Sequence, residues 1–525
     1  MGENMDISLQ KRISARHRVM LAGLGVLGCC VLACLMFASA SSAAVPGGND
    51  CVASEGKISG RGSTYQTVLQ KDISELYTAD FCGAVAEQPA VSEPELGGVA
   101  AGPYADPAGT NMVAYNYAAA ENAGSTGSGA GLKAISCRTD AFTGTDNPYT
   151  VEEIEKLQNE KKAGEFGGSA CSLSFTPPYA PTAAGNKFPS SGDTLSSPQV
   201  MSFPVGGSAV SVLANFGTAG AGKTCEGSAV PTELKLNGKE LSRLFGGEVI
   251  TWSDSELAAN NPQLSTDKCK GKVTRVVRQD KSGTTNIFKQ YLIAAEPPEG
   301  QRTGQTTCAS GKTWKGSYFK ENKEWPGRQQ REQEEKKETV VSEGTCSPIV
   351  NGPKSGNPEE IKKLKETEGG IGYADLPQAV AEAKTFAVTA VVENGNGTGY
   401  SSPKSNQGAN CSYSSVGPPS GGVSNAVGLS SEYEKTWANN GSPNEEDVAD
   451  LGPKYPICGL TWDLVDVGLS KESPVALTTD QKRTLYSYFT FLLSSTVQQD
   501  LSNLYYAPLP VAWVQELREG FQENF

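Results

Sequence analysis

Short apolar runs of strand character give way repeatedly to stretches with helical spacing. Lys57-Ile58-Ser59 reads as a strand and leads into Gly60-Arg61-Gly62-Ser63-Thr64-Tyr65. From Gln66 to Tyr77, Val68, Leu69, Ile73 and Leu76 then fall on one helical face. The arrangement recurs at Met112 to Tyr117, where apolar side chains alternate, followed by Gly127-Ser128-Gly129-Ala130-Gly131 and a helical start at Leu132. A third copy runs from Val273 to Val277, through Arg278-Gln279-Asp280-Lys281-Ser282-Gly283-Thr284-Thr285, into a helix carrying Ile287, Phe288, Tyr291 and Leu292. Strands alternating with helices predict an α/β fold. Near the C-terminal end, Thr478 to Leu504 predicts one long amphipathic helix whose buried side is Leu485, Phe489, Leu492, Val497 and Leu501, and Val511 to Phe521 a shorter one packed on it.

Between these units lie polar stretches longer than ordinary connections: Glu87 to Gly109, Gly164 to Pro198, Ala295 to Thr345 and Glu393 to Gly452. They read as surface insertions. The first 44 residues are of another kind, with Lys11, Arg12, Arg16 and Arg18 preceding an apolar run from Val19 to Phe37 and small residues from Ala38 to Ala44. That order is a secretory signal. The apolar run also has the length of a membrane span, so a retained anchor competes with cleavage, and Leu32-Ala33-Cys34 loosely resembles a lipid-attachment site. An exported destination places the chain where disulfides persist. Ten of its 13 cysteines lie beyond the leader with no Cys-x-x-Cys pair among them, which predicts up to five bridges rather than a metal site, with Cys308 and Cys346 a plausible pair across the charged loop between them.

Composition narrows the chemistry. With 525 residues the chain is long enough for two to four domains and a substantial core. A net charge of −13 leaves no electrostatic footprint for nucleic acid. The one histidine, His17, sits in the leader, so beyond it no histidine can serve as general base, triad member or metal ligand. Cofactors are not expected, nor is a resident metal.

What remains is the chemistry of three glycine- and hydroxyl-rich turns at helix starts. The first N–H groups of a helix lack intrahelical partners and carry positive potential, so such ends bind oxyanions. One such turn is ordinary capping; three in one chain, the last holding an arginine and an aspartate, point to a shared anion site. Arg278 has the fork geometry for an oxyanion and Asp280 can hold it, the plain alternative being a surface ion pair. Asp146, in Phe142-Thr143-Gly144-Thr145-Asp146, is either a helix cap or an acceptor for a ligand proton.

The order of Gly62-Ser63-Thr64-Tyr65, Gly127-Ser128-Gly129-Ala130-Gly131, Thr145-Asp146, Leu236-Asn237-Gly238-Lys239, Thr251-Trp252 and Arg278 to Thr285 resembles the phosphate-binding proteins of bacterial phosphate ABC transporters. Lys354-Ser355-Gly356-Asn357 with Gly370-Ile371-Gly372-Tyr373, and Tyr506-Ala507-Pro508-Leu509-Pro510, match later segments of that family. The resemblance implies a two-lobed, type II periplasmic-binding-protein-like fold, each lobe a mixed sheet flanked by helices, joined by two hinge crossings. Residues 45–203 and 385–525 would make lobe I, 204–384 lobe II, and 1–44 the leader. It further implies that Thr64, Tyr65 (through its backbone), Ser128, Ser282, Gly283 and Thr284 donate to inorganic phosphate. Arg278 would pair with the anion, Asp280 would orient Arg278, and Asp146 would accept the phosphate proton. Tyr65 stands where the family usually has phenylalanine, and Gly129-Ala130 where it has a more serine- and glycine-rich pair. The implied protein is a non-enzymatic, extracytoplasmic monomer that hands phosphate to a membrane permease. Two other functions share the fold: a surface interaction protein acting through the insertions, and a phosphate-ester hydrolase, for which no activating histidine or metal cluster is present.

Overall fold

The computed structural model describes residues 56–81, 113–116, 127–137, 140–146, 200–217, 223–226, 230–265, 269–278, 280–295, 325, 347–351, 356–406, 408–411, 452–466 and 479–524. The leader, the first three polar stretches apart from Ala295 and Trp325, and the expected Cys308–Cys346 pair lie outside these residues.

The chain begins with β1 (Ile58–Gly62), a 3-10 turn over Thr64–Gln66 and α1 (Thr67–Phe81). It continues through β2 (Val113–Asn116), α2 (Ser128–Cys137), β3 (Phe142–Thr145) and the long β4 (Val200–Asn215). Next come β5 (Leu234–Leu236), α3 (Gly238–Gly246), α4 (Ser255–Asn260), β6 (Thr274–Val277) and α5 (Gly283–Ala294). Then follow β7 (Ile349–Asn351), α6 (Asn357–Glu366), β8 (Gly370–Asp375), β9 (Val388–Glu393), β10 (Tyr400–Ser401), β11 (Lys404–Ser405) and β12 (Gly408–Ala409). The last elements are β13 (Cys458–Asp466), α7 (Thr479–Leu492), α8 (Ser495–Asp500) and α9 (Val511–Asn524). The α/β alternation read from the sequence is therefore present.

The sheet runs β2-β1-β3-β13-β4-β8-β6-β7, with β9 joined to β4, β5 and β10. β1 is parallel to β2 and β3, and β6 to β7 and β8, while β13 and β4 run antiparallel to their neighbours. β4 is shared: Val200 to Ala209 pair with β13, and Val210 to Asn215 pair with β8. Two half-sheets thus meet along one strand. Parallel strands need crossover helices, which is why the first half carries α1 and α2 and the second α5 and α6.

Each half has its own aromatic packing. Phe142, Phe203 and Phe489 meet edge to face in the first, joined by Tyr488 and Tyr77. Phe245, Phe288, Trp325 and Tyr373 pack together in the second. Such ring pairs contribute about 0.5–1.5 kcal/mol each beyond burial.

Three elements differ from the sequence pattern. β1 runs on through Gly60-Arg61-Gly62, read above as a turn, because buried Arg61 is neutralised 2.7 Å from Asp140 and the strand pairs on with Phe142–Gly144. The helix expected from Thr478 to Leu504 ends at Leu492; Ser494 caps a new helix through Val497 N–H, and Leu501–Leu504 forms a 3-10 turn. Its expected buried side nonetheless faces inward throughout. Finally, the start of the Glu393–Gly452 stretch is built into the fold, β10 at the edge of the main sheet and β11 with β12 as a separate two-stranded sheet. β10 pairs with β9, β12 with β11, and a Cys411–Cys458 disulfide fastens this segment to β13. A second bridge joins Cys225 to Cys269, and Cys137 is also disulfide-bonded.

Candidate functional site

The turn that follows β1 and the starts of α2, α5 and α6 lie toward the carboxyl ends of parallel strands, where α/β sheets present ligand sites. Each is shaped locally. Ser63 caps the 3-10 turn by accepting from Tyr65 N–H at 3.0 Å. Ser282 caps α5 by accepting from Thr285 N–H at 3.1 Å. α6 starts differently: Gly356 precedes it at φ 102°, a conformation that favours glycine, and no side chain caps the helix.

The structure brings the residues named from sequence into one buried cluster, built from both half-sheets. Ser128 Oγ accepts from Asp146 N–H and from Gly283 N–H, each at 3.2 Å. Two donors thus fill its acceptor side and leave its own hydrogen to donate. Gly283 must be glycine, since a Cβ there would lie 2.5 Å from Asp146 Cβ and 2.7 Å from Ser128 Oγ. Gly129 N–H reaches Lys281 O at 3.2 Å, tying the second turn to the third. Tyr65 spends its backbone N–H on the Ser63 cap, and its phenol donates to Ser208 O at 2.5 Å, on β4 beside the point where that strand passes between half-sheets. No hydrogen bond is made among the described residues by the backbone N–H of Thr64, Ser128 or Thr284.

Arg278 and Asp280 are buried rather than a surface pair. Nε and Nη2 donate to the two carboxylate oxygens at 2.8 and 2.6 Å, and Nη1 donates to Asn357 Oδ1 at 2.5 Å. A guanidinium has five N–H groups, so one on each Nη remains for another acceptor. Burial alone would lower the Arg278 pKa; the Asp280 carboxylate outweighs it and raises the value above the ordinary one. Asp146 receives Ser63 Oγ–H at 2.5 Å and Thr461 Oγ1–H at 2.9 Å, one on each oxygen. Those bonds fix the carboxylate in place.

Several contributors carried no sequence signal strong enough to assign them. Asn357 stood in a quoted family segment without a role, although Gly356-Asn357-Pro358 marks a helix start. Ser63 and Thr461 position Asp146, and Gln378 Nε2 donates to Thr64 O at 2.6 Å. Asp375 caps the turn after β8, accepting from Gln378 N–H at 3.2 Å, and its pKa is pushed up by burial to about 8 despite hydrogen bonds from Gln378 and Asn357. Partners that meet only in three dimensions, such as Thr461 with Asp146 or Gln378 with Thr64, carry no local pattern, which is why these were missed.

The cluster joins hydroxyl and backbone donors to one guanidinium across a shared mixed sheet. Residues 192–426 match the sequence profile of the PBP superfamily domain. The resemblance to phosphate-binding proteins read from the motifs is likewise shown by independent matches. The phosphate-binding protein PstS of Xylella fastidiosa (strain Temecula1) is 25% identical over 156 residues, covering 30% of this chain and 32% of the relative. That of Methanocaldococcus jannaschii is 26% identical over 258 residues, covering 47% of this chain and 54% of the relative. The chain thus spans about a third to a half of the length of these curated relatives. Among solved structures, a phosphate-binding protein from Stenotrophomonas maltophilia superposes with a TM-score of 0.49 at 15% identity, covering 88% of this chain and 93% of that one.

Proposed function

We propose that the protein is an extracytoplasmic solute-binding protein that captures inorganic phosphate between its two half-sheets and delivers it to an ABC-transporter permease, without chemistry of its own. The observation that carries this reading is the convergence of Thr64, Ser128, Gly283, Thr284 and Arg278 in one buried cluster contributed by both halves. The two lobes follow the half-sheets rather than the expected boundaries of 45–203 with 385–525 and 204–384: residues 204–209 of β4 pair with β13 in the first half, and β9, with β10 beside it, pairs with β5 and the far end of β4 in the second; the leader directs export. The protein acts as a monomer, and no cofactor enters the cycle.

Binding proceeds by substitution of contacts. In the structure the turns touch one another directly, Gly283 N–H on Ser128 Oγ and Asn357 N–H on Thr64 Oγ1 at 3.2 Å. Rotation about β4 separates them, and an anion entering between them takes up the N–H groups of Thr64, Ser128 and Thr284 and the spare N–H groups of Arg278. The anion then holds the halves closed. The acidic overall charge does not oppose this, because charges beyond roughly 10 Å are screened at moderate salt. Asp146 supplies selectivity. Phosphate near neutral pH keeps a proton that the carboxylate can accept, whereas sulfate has none and meets only repulsion. A site built for a ligand O–H rejects the analogue lacking it by roughly 10⁴- to 10⁵-fold.

Equilibrium dialysis with phosphate, arsenate and sulfate tests the reading. Retention of phosphate and arsenate with little sulfate is expected; no retention of phosphate by the folded protein would refute it.

A further inference from the structure

We infer that Asn357 is a positioning residue that sets the donors of the anion site, an inference resting on the phosphate reading above. It is wholly buried at the start of α6 and bonds to three of the residues named from sequence, Thr64, Arg278 and Thr284. Its backbone N–H donates to Thr64 Oγ1 at 3.2 Å, across the junction of the half-sheets. Its Oδ1 accepts from Arg278 Nη1 at 2.5 Å. Its Nδ2 donates to Thr284 Oγ1 at 3.4 Å and to Asp375 Oδ1.

The consequences follow from donor and acceptor inventories. A hydroxyl whose oxygen already accepts a hydrogen bond turns its own hydrogen elsewhere. By donating to Thr64 and Thr284, Asn357 makes both hydroxyls donors toward a third group, which is what an oxyanion requires. At Arg278 the neutral amide does what a carboxylate cannot. Asp280 already balances the guanidinium charge through a two-bond contact. A carboxylate at position 357 would add a negative charge with no counter-charge of its own and would face Asp375 instead of donating to it. An amide orients Nη1 while leaving the positive charge available to the ligand. Charged and titratable groups packed around this amide from other elements are Arg278, Asp280 and Asp375, with Glu360 on its own helix, whose pKa burial raises.

The test is phosphate calorimetry on the full chain, comparing the parent with Asn357→Ala, the isosteric Asn357→Asp and, as a control on the site itself, Arg278→Ala. Thermal unfolding without phosphate reports whether each variant folds. Loss of a buried hydrogen-bonding partner predicts roughly 10- to 100-fold weaker phosphate binding for Asn357→Ala. For Asn357→Asp, the affinity relative to the parent falls further as pH rises and the new carboxyl ionises. A residue that only fills space would lower the melting temperature without opening that pH-dependent gap. If Asn357→Asp folds and binds phosphate with the parent's affinity and pH profile while Arg278→Ala is weakened, the role of Asn357 is overturned and the site stands. If Arg278→Ala also retains the parent's affinity, the phosphate site itself is wrong.

Discussion

At the scale of single residues, the account rests on donors that are held before any ligand arrives. Arg278 is fixed on one edge by Asp280 and at Nη1 by Asn357, so its remaining N–H groups need little reordering to meet an anion. Arg278→Ala leaves Asp280 buried without its counter-charge. It should weaken phosphate binding by about 2–5 kcal/mol, roughly 30-fold or more, measured by calorimetry. Asp146→Asn tests selectivity separately: the phosphate-to-sulfate affinity ratio should collapse, and an unchanged ratio would remove Asp146 from that role. Gly283→Ala introduces a methyl 2.5 Å from Asp146 Cβ and 2.7 Å from Ser128 Oγ. The crowding should cost about 1–3 kcal/mol of stability by denaturant unfolding and weaken phosphate binding as well. Glycine, hydroxyl and arginine positions in a turn are local signals, so candidate donors can be picked from the sequence, whereas it does not reveal that Tyr65 spends its backbone N–H on the Ser63 cap. Asn357, Thr461 and Gln378 act across hundreds of residues of chain, and no local pattern marks such a partner.

At the scale of elements, the legible features were those with a period. The buried face of α7 follows from apolar spacing, as do Leu69 and Ile73 of α1, whereas α5 is buried nearly all round, Thr285, Asn286 and Lys289 included. What escaped were elements whose signals cancel: Arg61 hid the end of β1 until Asp140 neutralised it, and Ser494 broke a continuous apolar stripe by offering a cap. The segment from β10 to β12 looked like an insertion because its residues are polar and glycine-rich, yet Cys411–Cys458 ties it to β13. Closing a loop of 47 residues contributes roughly 4 kcal/mol in the chain-entropy picture. Replacing both cysteines by alanine should therefore lower stability by a few kcal/mol under oxidising conditions and leave reduced protein unaffected. The turn after β8 adds a pH dependence. Burial raises the Asp375 pKa from 3.8 to about 8, so folding favours its protonated form. The stability this group contributes is complete below about pH 4 and is lost as pH climbs toward 8. Asp375→Asn should flatten that decline in unfolding titrations run across the same window.

For the whole molecule, the decisive feature is that one strand, β4, belongs to both half-sheets while the site is divided between them. A ligand bound between the halves stabilises the folded chain by mass action, about 2.7 kcal/mol when its concentration is a hundred times its dissociation constant. Saturating phosphate should accordingly raise the unfolding temperature by several degrees, and sulfate should not. The phenol of Tyr65 links the first turn to β4 through Ser208, so that turn is tied to the shared strand. The measurement that bears most directly on the central claim is a crystal structure of the chain with phosphate. The account predicts a tetrahedral anion bonded to Thr64, Ser128, Thr284 and Arg278, with Asp146 on one of its oxygens. An anion lodged elsewhere on the molecule, with those residues still bonded only to one another, would contradict it.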